Sequence, residues 1–250
     1  MDKNLIRERF VRAIPTYGKQ ATVQGQVARH MVQLLGEFLP VQAHRRVWEV
    51  GCGTGGFTRT YLACNAPNEF LLNDLCPEME VPLADLLDTH VHFEAYDVEY
   101  TLPVGSFSLI VSCSSLQWLE RPELFLKNCR DLLEEEGYFA LSLFGERNLK
   151  EIRAIVGTTL SYLSLYDWQR MTKKLGYHLV CTEEFSIPIY FDSPIEVLQH
   201  LKQTGVTGIS REVWTKGRLI DFSSKYRNLF STTDGKVALT YHPLYIILQK

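Results

Sequence analysis

The sequence predicts an α/β fold built on a mostly parallel sheet with helices on both faces. Three observations carry that expectation. From residue 45 onward, short and almost continuously apolar runs alternate with helical patterns, as strands buried on both faces require. The first run, Val47-Trp48-Glu49-Val50, ends in the glycine-rich turn Gly51-Cys52-Gly53-Thr54-Gly55-Gly56. The next two runs each end in an aspartate, Asp74 and Asp97. In parallel α/β sheets, ligands bind at the carboxyl ends of strands, so these three ends define one candidate site.

In chain order, residues 3–38 read as helical before any strand. Leu5, Ile6, Phe10 and Val11 recur at helical spacing, Pro15-Thr16-Tyr17-Gly18 predicts an interruption, and Val27, Met31, Leu34, Leu35 and Phe38 mark a second helix. Residues 1–40 are thus expected to form a helical cover. Strands are expected at 46–50, 69–73, 90–96, 107–113 and 137–144, with helices at about 55–64, 78–88 and 121–134. Residues 148–160 and 166–175 look helical, and 177–190 reads as a strand. The stretch 193–228 is helix-rich and punctuated by Gly205, Gly208 and Gly217, which suits a lid over a substrate and equally an oligomer contact. The closing run 237–248 reads as one strand in which Pro243 demands a bulge or an edge position. One domain spanning 1–250 is expected.

Bulk properties narrow the function classes. The 250 residues carry 26 Lys+Arg against 29 Asp+Glu, a formal charge of −3, so no global basic field points to nucleic acid. The hydrophobic fraction of 46% and charged fraction of 22% suit a globular chain, and no apolar run reaches membrane-spanning length. The six cysteines include no C-x-x-C pair, which argues for buried thiols in a reducing compartment. No secretory h-region follows Met1, so the expected location is cytoplasmic.

The turn itself discriminates among cofactors. Gly51, Gly53 and Gly56 formally satisfy the dinucleotide pattern G-x-G-x-x-G, but Glu49-x-Gly51-x-Gly53 with Gly55 resembles motif I of the class I S-adenosylmethionine-dependent methyltransferases. That resemblance implies a Rossmann-like, seven-stranded sheet and a loop wrapped around the amino-acid end of S-adenosylmethionine. A carboxylate such as Asp74 offers two acceptor oxygens to a ribose diol. The resemblance places Leu75 beside it, and gives Asp97 and Val98 the adenine and Cys113 the end of the fourth strand. Gln117 and Trp118 are then expected between cofactor and substrate, a neutral amide and a flat apolar face.

Four further stretches are similar to the malonyl-acyl-carrier-protein O-methyltransferase family of biotin synthesis. They are Phe10-Val11-Arg12-Ala13 with Tyr17, Ala21 and Gln24; Asn73-Asp74-Leu75-Cys76-Pro77-Glu78-Met79; Leu201-Lys202-Gln203-Thr204-Gly205-Val206-Thr207; and Leu239-Thr240-Tyr241-His242. Cys76 stands where serine is usual, Cys113 where asparagine is expected, and Ser108 where aspartate is common.

The family resemblance implies methyl transfer to the free carboxylate of a malonyl thioester on acyl carrier protein. A carboxylate is already ionised near neutrality, so the reaction needs orientation and desolvation rather than a general base. Tyr17, Tyr241 and His242 are the candidates for aiming it, with Lys202 as a further contact. Arg12, Arg29, Lys173, Lys174, Arg211, Lys216, Arg218, Lys225 and Arg227 are candidates for meeting an acidic carrier. The competing readings are a class I methyltransferase acting on another small acid or a quinone precursor, a nicotinamide-dependent oxidoreductase, and a cofactor-binding scaffold.

Overall fold

A computed structural model describes residues 2–157, 160–205 and 215–250. Its N-terminal helices are α1 (Lys3–Gln20) and α2 (Thr22–Phe38). The Asp2 carboxylate caps α1, accepting from Leu5 N–H at 3.0 Å. Contrary to the sequence expectation, α1 runs through Pro15 and the break falls at Ala21 (φ −80°, ψ 46°). Pro15 lies on the exposed side of α1, where the carbonyl it leaves unpaired can turn to water.

The sheet is built from β1 (Arg46–Val50), β2 (Glu69–Asp74), β3 (Val91–Ala95), β4 (Phe107–Cys113) and β5 (Leu133–Phe144), linked by α3 (Gly56–Leu62), the short α4 (Glu80–Leu83) and α5 (Pro122–Leu132). After α6 (Lys150–Val156) and α7 (Leu165–Lys174), the expected strand at 177–190 is two strands, β6 (His178–Glu184) and β7 (Ile187–Phe191). Helices α8 (Pro194–Gln203) and α9 (Lys216–Phe230) then lead to β8 (Val237–Tyr241) and β9 (Pro243–Gln249). Three expected helices shorten: 78–88 contracts to a turn plus α4, 121–134 to α5, and 148–160 to α6. Residues 206–214, among them Val206, Thr207, Gly208 and Arg211, lie outside the described residues.

The seven strands run β3-β2-β1-β4-β5-β9-β6, and only β9 is antiparallel to its neighbours. Strand order reverses between β1 and β4, which leaves a crevice at their carboxyl ends. Alternating side chains of β1 feed two cores: Val47 joins the layer with α2 and α3, while Trp48 and Val50 join the layer with Phe125 and Phe139. Ser108 sits at the opposite end of β4 from the crevice. Its hydroxyl accepts from Arg46 N–H at 2.9 Å and donates to Arg46 O at 3.0 Å, tying β4 to β1. It therefore stays out of the strand-end site that the family pattern suggested for an aspartate.

The terminal run departs most from expectation. It is cut at His242, so β8 pairs with β7 in a separate two-stranded sheet and β9 enters the main sheet between β5 and β6. Pro243 needs neither a bulge nor an edge, because it is the first residue of β9, opposite Phe144. The small sheet is anchored by the buried Glu151 carboxylate, which accepts from Thr240 N–H (3.0 Å) and Thr240 O–H (2.5 Å). It is also held by Tyr226, whose hydroxyl donates to Ala238 O at 2.7 Å. This layer meets α1 directly: Thr16 Oγ1 lies 3.1 Å from Gln203 O, and a Cβ on Gly205 (φ +72°) would approach the Phe10 ring to 2.8 Å.

The fully buried Trp48 is flanked in its core by the rings of Phe107 (5.7 Å) and Phe125 (6.1 Å). Trp48→Ala is expected to cost about 3–5 kcal/mol. Denaturant unfolding monitored by far-UV circular dichroism checks this.

Candidate active site

Gly51 determines the shape of the crevice. It has φ +73°, and a Cβ there would lie 2.0 Å from Ser115 Oγ, so both its backbone and its surroundings exclude a side chain. A Cβ on Gly53 (φ +53°) would meet nothing within 4 Å. That turn therefore presents bare backbone to open space, the cradle that a bound ligand fills. Gly51 and Cys52 both donate their N–H groups to Asn73 O, at 2.8 and 2.9 Å, fastening the turn to β2.

The Asp74 carboxylate accepts from Gly53 N–H and Cys76 N–H, each at 2.9 Å. Burial raises its pKa and these backbone donors oppose the rise. Lone pairs remain for a diol, since an ionised carboxylate has about four acceptor sites. Glu49 is 1% exposed, and Thr58 Oγ1 donates to it at 2.7 Å. Burial lifts its pKa from the usual 4.5 to about 8, with the Thr58 hydrogen bond opposing the lift and the Asp74 charge adding to it.

Glu49, Gly51, Gly53, Asp74, Leu75, Cys113, Tyr17 and Trp118 line a cavity of about 240 Å³. A second cavity adjoins it, lined by Asp97, Val98, Lys3 and Tyr96 and sharing Gly51, Leu75 and Trp118 with the first. The Asp97 carboxylate is ion-paired with Lys3 Nζ at 3.2 Å, and Lys3 also reaches Glu99 at 2.6 Å. A third cavity continues from Tyr17 and Trp118 to Gln117 and Tyr241. The three form one path from the end of β3 to the end of β8, and α1 borders all of it through Lys3, Ile6, Phe10 and Tyr17.

Most of the residues singled out from sequence converge here, while Gly55 is not among the lining residues. It takes φ +82° as the residue before α3, where a Cβ would meet the Leu83 side chain at 2.7 Å. Cys113 lines the first cavity, and burial raises its thiol pKa. Ser114 follows in the left-handed region at φ 58°, with its carbonyl accepting from Gln117 Nε2 at 2.7 Å. Trp118 packs edge-on against Phe10 with ring centres 5.5 Å apart. Tyr17 borders both the first and third cavities, and burial together with the nearby Asp74 charge pushes its pKa up to about 12, so the phenol stays protonated.

Two expected substrate contacts lie elsewhere. His242 is buried at the β8–β9 crossover and does not line the path. Its Nδ1 accepts from Arg147 N–H (3.2 Å), Nε2 faces both the Arg147 guanidinium (2.6 Å) and Glu184 Oε2 (2.9 Å), and its backbone N–H donates to Asn148 Oδ1 (3.2 Å). Tyr241 ends β8 and faces the path, whereas His242 falls in the break between β8 and β9 and turns away from it. Lys202 is exposed on α8, whereas His200 and Thr204, a half turn to either side, are buried.

The sequence reading missed Gln24, Tyr162, Thr204 and Asn148, all of which line the third cavity. Gln24 sat within a quoted motif, but nothing there marked it as a site residue. The carbonyl oxygens of Gln24 and Gln117 are buried without a hydrogen-bond partner among the described residues. Buried acceptors in that state are uncommon, and both side chains line the third cavity. The described residues include no cluster suited to a metal ion and no helix long and apolar enough to cross a membrane. Of the basic residues considered for a carrier, all those described are exposed, and Lys174 is already paired with Glu123 at 2.7 Å.

A seven-stranded sheet with this order, a glycine turn after β1 and acids ending β2 and closing the path after β3 define the class of S-adenosylmethionine-dependent methyltransferases. A family model described as a methyltransferase domain matches residues 48–139. Among solved structures, the YcgJ protein of Bacillus subtilis superposes with a TM-score of 0.65 over 88% of this chain and 98% of its own, at 16% identity. An S-adenosylmethionine-dependent methyltransferase from Mesorhizobium loti gives 0.55 over 87% and 96%, at 17% identity. These likenesses show the fold. Relatives named malonyl-[acyl-carrier protein] O-methyltransferase are 47% identical in Bacteroides fragilis, 43% in Bacteroides thetaiotaomicron and 36% in Haemophilus influenzae. Each match spans at least 99% of this chain. It covers 50% of the B. fragilis protein, 99% of the B. thetaiotaomicron protein and 94% of the H. influenzae protein. The chain belongs to the malonyl-[acyl-carrier protein] O-methyltransferase family, and its cofactor is S-adenosylmethionine.

Two outcomes follow for cofactor binding. S-adenosylmethionine or S-adenosylhomocysteine should raise the melting temperature by mass action, and Asp74→Ala should remove most of that rise while keeping the far-UV spectrum. Glu49 adds a pH signature. Its raised pKa means that ionising it inside the fold is unfavourable, so its contribution to the stability of the free protein declines as pH rises from about 4.5 to about 8. A cationic amino-acid end bound beside it favours the ionised form, so affinity should tighten over the upper part of that window with release of a proton. Calorimetry in two buffers of different ionisation enthalpy measures the release, and Glu49→Gln should abolish it.

Proposed function

We propose that this chain transfers the methyl group of S-adenosylmethionine to the free carboxylate of a malonyl thioester carried by acyl carrier protein, an early step of biotin synthesis. The observation that carries this reading is the third cavity: it opens from the cofactor cavity at Tyr17 and Trp118, and none of its lining residues is charged. A carboxylate seated against Lys or Arg is held tightly but loses nucleophilicity, whereas hydroxyl and amide donors orient it and leave its lone pairs reactive. Full-length relatives bearing that enzyme's name support the same substrate.

When bound, S-adenosylmethionine supplies an electrophilic methyl group on a sulfonium. Asp74 would hold its ribose, Asp97 and the Val98 backbone its adenine, and Glu49 with the Gly51–Gly53 backbone its amino-acid end. Asp97 can serve only if it shares its carboxylate with Lys3 or gives up that ion pair. Tyr17, at the junction of the two cavities, would donate to the substrate carboxylate while its ring excludes water. With a protonated phenol and an ionised substrate, no proton has to move before the displacement. Tyr241 would contribute from the opposite wall. Helix α1 would act as the cover, and α8 with α9 as the lid that receives the carrier-bound arm.

Rates on malonyl carrier protein, malonyl-coenzyme A and free malonate test the assignment, with mass spectrometry reporting the added methyl. The carrier-bound substrate is expected to be fastest, because binding energy remote from the carboxylate positions it. Its advantage should shrink with added salt, as an acidic partner on basic rim residues implies. A free small acid turned over best, with no salt effect, would overturn the carrier as partner and leave methyl transfer standing.

A further inference from the structure

The third cavity holds more than the tyrosines at positions 17 and 241. Its far wall brings together Tyr162, from the segment between α6 and α7, and Tyr241, from the end of β8. Each hydroxyl has a polar side chain behind it. Asn148 is hydrogen-bonded to the Tyr162 hydroxyl. Because Asn148 Oδ1 already accepts from His242 N–H, the amide nitrogen is the end left to donate to Tyr162. The Tyr241 hydroxyl lies 2.8 Å from His200 Nε2 and is hydrogen-bonded to Gln24 and Thr204. Thr204 Oγ1 is itself fixed to its own helix, donating to His200 O at 2.9 Å.

A tyrosine oxygen that accepts from behind keeps its proton for the front. Burial lowers the pKa of His200, so its ring is neutral near pH 7 and carries a single N–H. An Nε2–H tautomer would donate to Tyr241, so that a carboxylate in the cavity can take the phenolic proton that Thr204 Oγ1 otherwise accepts; Asn148 plays the donor's part for Tyr162.

We propose that Tyr162 and Tyr241 form a two-hydroxyl seat for the substrate carboxylate, with Asn148 and His200 as positioning residues that aim the two protons into the cavity. The inference rests on the carboxyl methyltransferase reading above and adds to it a way of telling substrate from product. An ionised carboxylate accepts charge-assisted hydrogen bonds about twice as strong as neutral ones. Once methylated, the same group is a neutral ester and loses that advantage, so the seat binds the acid in preference to the ester it becomes.

The experiment compares two affinities in the same variants: KM for malonyl carrier protein, and the inhibition constant of its methyl ester. Tyr162→Phe keeps the ring and removes only the hydroxyl. It should raise KM for the acid by roughly tenfold to a hundredfold, as expected for losing a hydrogen bond to a charged group, while the ester's inhibition constant and S-adenosylmethionine affinity barely move. His200→Phe should act in the same direction, and His200→Gln, which restores an N–H donor, should recover much of the loss. Tyr241→Phe provides the same measurement from the other wall should Tyr162→Phe fold poorly, with melting temperature and cofactor binding as the check on folding. Acid and ester affinities falling together, or an unchanged KM in Tyr162→Phe, would overturn the seat. A parent protein inactive on malonyl carrier protein would instead overturn the substrate reading, so the two failures are distinguishable.

Discussion

The site depends on how closely two loops approach at the carboxyl ends of β1 and β4. Gly51 and Ser115 are so near that a single Cβ would overlap the serine hydroxyl. This contact closes the base of the crevice where strand order reverses. The glycine turn can then lean toward β2, where Asn73 O collects two of its N–H groups and Asp74 collects a third. Ser114, held in a left-handed conformation beside that contact, redirects the chain after β4 so that Gln117 and Trp118 face the path. The cofactor acids and the substrate wall are thus positioned by one backbone approach that only glycine permits.

The strand-end half of the site was legible in sequence because its signals are local. Glu49, the glycines, Asp74 and Asp97 each sit at a strand end, and a strand end can be read from a few consecutive residues. The substrate half draws on α2, the turn after β5, the segment after α6, α8 and β8, and no local pattern joins Gln24, Asn148, Tyr162, His200 and Thr204. The tandem Tyr241-His242 shows the same limit. Sequence offered both as ligands, but β8 ends at Tyr241, and His242 became the pivot between two sheets.

The errors in the fold have similar causes. Pro15 reads as a helix breaker, yet an exposed position lets α1 continue past it. The run 237–248 is apolar on both sides of His242 because β8 and β9 are each buried, so hydrophobicity alone could not show that they belong to different sheets. Only Pro243 marked the division, and it did so as the start of a strand.

One consequence of the long first helix concerns the order of events in turnover. Its inner side meets the second, first and third cavities in succession, with Lys3 bound to Asp97 and Glu99 at one end and Thr16 against α8 at the other. A rigid rod fastened at both ends cannot uncover one ligand while sealing the next. Spent cofactor and methylated product would therefore leave during the same excursion of α1, and a carrier arriving before that excursion would find the door shut. Exchange, rather than methyl transfer, would then set the pace of the cycle.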